Sequence, residues 1–140
     1  MLKKPLGIIK FKKDSIKTYE GCYNAGLHLI EVQEITSDVE LFYALHELGH
    51  AQRRSYIIGF YTTRSSLLSM DFWNKEELEA CVYAFNCLKV EARFGIVRKI
   101  IKSKPASQMT EIVKKALVET FIRERKIKKG DGLYELQKLQ

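Results

Sequence analysis

Three apolar stretches with strand-like periodicity precede the first helical pattern. Residues 7–13 (Gly-Ile-Ile-Lys-Phe-Lys-Lys) begin apolar, then alternate, and end at Asp14-Ser15, a turn signal. Ile16 to Tyr23 reads as a second strand, in which Gly21 marks a weak point or a bulge. After a turn at Asn24-Ala25-Gly26, Leu27–Gln33 gives a third strand. Leu27, Leu29 and Glu31 lie on one side of it and His28, Ile30 and Val32 on the other. The short connections predict an antiparallel meander. The period then becomes helical. Ser37-Asp38-Val39-Glu40 is a capping box that opens a helix to about Ser55. Val39, Phe42, Tyr43, His46, His50 and Arg53 share one side of that helix, and Leu41, Leu45, Leu48 and Ala51 the other. A helix apolar on two sides is expected at the centre of the molecule.

Downstream, residues 56–73 have no clean period beyond a short helical turn at Ser65–Met70, and their aromatics either line a cleft or cover the core. Asn74 is the expected cap of a second long helix from Lys75 to about Phe94, with Gly95 as its stop. A short helix over Ile96–Ser103 is expected to end before Pro105. Residues 106–128 are helical again, with Met109, Ile112, Val113, Leu117 and Phe121 at helical spacing. Gly130-Asp131-Gly132 breaks that pattern, and Leu133–Gln140 is a short amphipathic end. The fold class expected is α+β, a small antiparallel sheet followed by helices.

Composition adds limits. A chain of 140 residues with 46% hydrophobic and 29% charged residues is expected to form one globular domain over residues 1–140. No apolar run approaches the ~20 residues of a membrane span, and the basic start lacks an apolar segment of signal-peptide length. Cys22, Cys81 and Cys87 form no C-x-x-C, which suits reduced thiols, so a cytoplasmic location is expected. The net charge of +7 is unevenly placed: residues 1–97 hold 12 basic and 12 acidic residues, whereas residues 98–140 hold 12 basic and 5 acidic. Such a tail is either the solvated face of amphipathic helices or a contact surface for nucleic acid or an acidic partner.

The chemistry concentrates in His46-Glu47-Leu48-Gly49-His50. Positions i and i+4 of a helix share a face, so both imidazoles can reach one metal ion. A divalent zinc ion lowers the pKa of the water it holds toward ~7, and a carboxylate placed like Glu47 can take the proton. This is the H-E-x-x-H pattern of metal hydrolases. It also explains how two histidines can sit on a buried helix, since a metal satisfies them. A catalytic zinc site has three protein ligands. The carboxylates Glu76, Glu77 and Glu79 form the one dense acidic group downstream, and each is a candidate third ligand. Glu77 leads because Ala80, Cys81, Ala84 and Leu88 share its face, which lets that helix approach Gly49 closely. Acidic residues also favour helix N-termini for reasons unrelated to metal. His28, on a strand with apolar neighbours, is expected to be a packed or half-exposed histidine, since no spacing supports it as a metal ligand.

His46-Glu47-Leu48-Gly49-His50-Ala51 followed by Glu77-Leu78-Glu79-Ala80-Cys81-Val82-Tyr83-Ala84 resembles the ImmA/IrrE family of zincin metallopeptidases. That family joins an H-E-x-G-H-type helix to a later E-x-x-A-x-x-F-A helix. The resemblance covers roughly residues 7–94 as a catalytic core and leaves 98–140 as a basic helical tail. It implies a zincin-like, minimal gluzincin fold and a zinc peptidase, often carried by phages or mobile elements, that cleaves a DNA-binding repressor. It further implies His46, His50 and Glu77 as zinc ligands and Glu47 as the base that activates water. Tyr56, Tyr61 and Tyr83 are candidate assisting tyrosines, and an edge strand is expected to hold the substrate. The chain departs from the family where a leucine-methionine-proline run is replaced by Asn86-Cys87-Leu88-Lys89, and where no helix precedes the sheet. Two other readings use the same residues. One is a non-catalytic zincin scaffold that binds a regulator or nucleic acid through its basic tail. The other is a hydrolase of a non-peptide substrate, since activated water does not specify its target.

Overall fold

Among the described residues, a helix held between a small sheet and three further long helices organises the fold. The computed structural model describes residues 9–12, 21–54, 57–58 and 69–124. In chain order these form β1 (Ile9–Lys12), β2 (Gly21–Asn24), β3 (Leu29–Gln33), α1 (Asp38–Gln52), α2 (Ser69–Asn86), α3 (Val90–Ser103) and α4 (Gln108–Arg123). The α+β class expected from the sequence holds.

The sheet order is β1-β3-β2, with β3 in the centre. β2 runs antiparallel to β3, pairing Gly21 with Val32 and Tyr23 with Ile30. β1 instead runs parallel to β3, with Ile9 opposite Ile30. The sheet is therefore mixed, and the antiparallel meander expected from the short connections is not formed. Alternation along a strand specifies which face is buried and says nothing about which neighbour it pairs with. The face assignment for β3 holds: Ile30 and Val32 are buried and pack with Ala44, Leu48 and Ala51 of α1. β3 begins at Leu29 rather than Leu27, because residues 25–28 form a turn in which His28 has φ 52°.

α1 starts where its capping residues place it. The Ser37 hydroxyl accepts the Glu40 N–H, while the Glu40 carboxylate reaches one residue further back and accepts the N–H of Thr36 at 2.7 Å. The other side of α1 presents Phe42 and Tyr43 to a core shared with Phe85 of α2, Ile96, Val97 and Ile100 of α3, and Val113, Leu117 and Phe121 of α4. Each large apolar side chain buried there contributes about 1.5–3 kcal/mol.

Three boundaries differ from expectation. α2 begins at Ser69, so Asn74 lies inside it, exposed, and accepts a hydrogen bond from the Gln108 side chain at 2.9 Å. α2 ends at Asn86, and the chain turns through Cys87–Lys89, where extended Lys89 (ψ 144°) starts α3. Gly95 is inside α3 with open space around it and stops nothing. The corner between α2 and α3 is fixed by Arg93. This buried guanidinium donates to the Leu88 carbonyl, forms a fork with Glu124 at 2.7 and 3.0 Å, and lies over the Phe121 ring. α4 is capped by Ser107, whose hydroxyl accepts the Thr110 N–H at 3.1 Å. The expected turn before Ser69, the helix beyond Glu124 and the amphipathic end at 133–140 lie outside the described residues. No described helix is long and apolar enough to cross a membrane.

Candidate metal centre

The site forms where α1 and α2 come closest, and two small residues allow that approach. A Cβ on Gly49 would lie 3.0 Å from both the Cα and the carbonyl oxygen of Ala80, and 3.1 Å from Cβ of Tyr83. Those first two atoms are backbone, so a larger residue must displace a helix. Gly49→Ala sets two effects against each other: a gain of ~1 kcal/mol in helix propensity and an overpacking cost of ~1–3 kcal/mol. The cost wins. Urea denaturation should show a net loss of about 1 kcal/mol; a stabilised variant would contradict the close approach.

With the helices this near, Glu77 of α2 reaches both histidines of α1. Its Oε2 lies 2.9 Å from Nε2 of His46 and its Oε1 3.1 Å from Nε2 of His50. The two Nε2 atoms are 3.2 Å apart. His46 and His50 are buried, at 3% and 5% exposure. A zinc ion bound tetrahedrally to nitrogen and oxygen at ~2.0–2.2 Å holds its donor atoms about 3.3–3.6 Å apart. The observed separations are within a few tenths of an ångström of that arrangement, with a different oxygen of the Glu77 carboxylate nearest each histidine. His46, Glu47 and His50 also bring ligand atoms within 4.8 Å of one another. This buried His-Glu-His group can hold a metal ion.

The electrostatics reflect three facing groups. Burial opposes ionisation of Glu77, yet hydrogen bonds from His46 and His50 outweigh it and hold the carboxyl well below its usual range. Burial likewise opposes protonation of His50, but the bond to Glu77 and the charges of Glu77, Glu47 and Glu76 raise its pKa overall.

Glu47 projects beside the cluster, its Oε1 3.9 Å from His46 Nε2. Burial raises its pKa against the pull of His46 and His50. A second glycine makes room for it: a Cβ on Gly21 of β2 would lie 3.0 Å from Cγ of Glu47. Gly21, which the alternation marks as a weak point or a bulge, is where the strand passes close to Glu47. Glu47, His50 and Glu77 line a cleft of about 380 Å3, whose other walls include Tyr23 of β2 and Trp73 of α2. That volume lies within the ~300–1,000 Å3 of small-ligand sites. Of the aromatics near 56–73, Trp73 lines the cleft and Phe72 is buried.

The three candidate carboxylates separate cleanly. Glu77 faces the histidines. Glu79 is turned to α4, where Arg123 holds it with bonds of 2.9 and 2.6 Å. Glu76 is fully buried against Arg53, the residue that caps the C-terminus of α1, at 2.6 and 2.7 Å. His28 is half-buried, its Nδ1 2.7 Å from the hydroxyl of Tyr23. Among the suggested tyrosines, Tyr56 and Tyr61 lie outside the described residues, and Tyr83 packs by Gly49 rather than lining the cleft. Among the described residues, the tyrosine that lines it is Tyr23.

Residue-type reasoning passed over Cys81. Its Sγ lies 3.1 Å from Nδ1 of His46, on the far side of that ring from Glu77, and complete burial pushes its thiol pKa well up. Cys81 therefore supports the His46 ring as a neutral thiol. The available signal was its position one turn after Glu77. In comparisons with family models, curated proteins and solved structures, nothing matches this chain.

Proposed function

We propose that this chain is a zinc-dependent metallopeptidase. The observation that carries the reading is the convergence of Glu77 on Nε2 of both His46 and His50, with the Glu47 carboxylate beside them at the wall of an open cleft. His46, His50 and Glu77 would hold the ion. Zinc, when bound there, supplies Lewis acidity and water of lowered pKa. Glu47, whose raised pKa suits proton exchange near neutrality, takes the proton from attacking water and returns it to the leaving amine.

β2 supports a peptide substrate in particular. It is an edge strand among the described residues, and Gly21, Cys22 and Tyr23 line the same cleft as Glu47. An extended peptide pairing with that edge would lie across the site by β-addition. The resemblance of the two helix motifs to ImmA/IrrE metallopeptidases supports the same reading and makes a cytoplasmic DNA-binding repressor the candidate substrate. The basic residues of α3 fit a solvated face: Arg98, Lys99 and Lys102 are exposed, opposite buried Ile96, Val97 and Ile100.

The test is cleavage of a mixed peptide pool followed by mass spectrometry. Zinc-loaded protein should cut, protein stripped by a chelator should not, and zinc should restore cutting. Equal cleavage with and without metal would refute the proposal.

A further inference from the structure

Two buried polar atoms beside the site face each other without being bonded. His50 Nδ1 and Glu76 Oε2 have no hydrogen-bond partner among the described residues, and they are 4.0 Å apart. Glu76 has no exposed surface at all. Its other oxygen is held by Arg53 at 2.6 and 2.7 Å, so the carboxylate is anchored on one side and open on the side of the ring. Arg53 lies three residues after His50, at the C-terminal cap of α1, and Glu76 immediately precedes Glu77 on α2.

Burying an acid where one oxygen finds no donor is costly. The arrangement becomes complete when His50 is a ligand. An imidazole that binds metal through Nε2 carries its proton on Nδ1, and metal-bound histidines commonly donate that proton to a carboxylate. For His50 the facing acceptor is Glu76 Oε2. Closing the gap to a charge-assisted bond of ~2.7–2.9 Å takes about 1 Å of movement. His46 is served differently, by the weakly accepting Cys81 sulfur.

We propose that Glu76, anchored by Arg53, is a positioning residue that accepts the Nδ1 proton of His50 and fixes that ring for metal. This rests on the metal site proposed above, and adds an outer carboxylate distinct from the ligand Glu77. Consecutive carboxylates thus take two roles, one on the ion and one behind a histidine.

The test is zinc affinity by chelator competition for wild type, Glu76→Gln and Glu76→Met, with circular dichroism of each metal-free protein as the folding control. Glu76→Met should bind zinc roughly 10–100-fold more weakly, and Glu76→Gln, which keeps a neutral acceptor, should fall between. In nitrogen-15 spectra of the zinc-loaded wild type, the His50 Nδ1 proton should be protected from exchange. It should lose protection in Glu76→Gln relative to wild type, while His46 is unchanged. Unaltered affinity in folded Glu76→Met, or an unprotected His50 Nδ1 proton in the wild type, overturns the proposal while leaving the metal site intact. If Glu76→Met fails to fold, Glu76→Gln and the wild-type spectrum decide alone. A wild type that binds no zinc would instead overturn the metal site itself.

Discussion

Glu47→Gln is expected to keep its zinc and lose roughly 10²–10⁴-fold of its peptide hydrolysis. The substitution is nearly isosteric, so the contact with Gly21 and the shape of the cleft survive. What disappears is a carboxylate that can take up and return a proton. The reading assigns Glu47 no coordinating role: Glu77 already contacts both Nε2 atoms at 2.9 and 3.1 Å, whereas Glu47 approaches His46 at 3.9 Å. Parallel measurement of cleavage and of zinc affinity checks both halves. A variant that keeps its zinc and its full effect on a partner protein would favour the non-catalytic scaffold over the peptidase.

The second large effect separates the carboxylates of α2. Glu77→Gln should weaken zinc binding by more than the ~10–100-fold typical of losing a carboxylate behind a ligand, because it replaces the proposed anionic ligand between two imidazoles. Glu79→Gln should leave zinc affinity at the wild-type level. Its cost is confined to the pair with Arg123, which is 41% exposed, and is worth only ~0.2–1 kcal/mol. Chelator competition on the two variants gives the answer. Equal losses would mean that α2 sits differently on α1 from the arrangement found here.

Much of the site was legible because its parts are local. His46 and His50 are one turn apart on a helix whose start is fixed by Ser37, and both facts are within a few residues of each other. The approach of α2 was legible through Gly49 and the small residues that share a face with Glu77. Choosing among Glu76, Glu77 and Glu79 was harder. Neighbouring helix positions differ by ~100° in direction, and which one meets the histidines depends on where α1 lies. Arg53 takes Glu76 and Arg123 takes Glu79, two partners 23 and 44 residues away that no local pattern announces.

The illegible parts of the fold have similar causes. Asn74 and Gly95 carry the residue types of helix ends, but tertiary packing continues the helix through both. The true break at Cys87–Lys89 holds no glycine or proline. It is held by the buried Arg93, which reaches forward to Glu124. Parallel pairing of β1 with β3 is a long-range choice that alternation along each strand leaves open.

His46, His50 and Glu77 are proposed here as one metal site. Its most direct test is zinc stoichiometry of purified protein by titration under chelator competition, with His46→Ala as the comparison. One tightly held equivalent in the wild type, lost in a folded His46→Ala, is the predicted result. A folded wild type that takes up no zinc, or a His46→Ala variant that binds it equally well, would contradict the account.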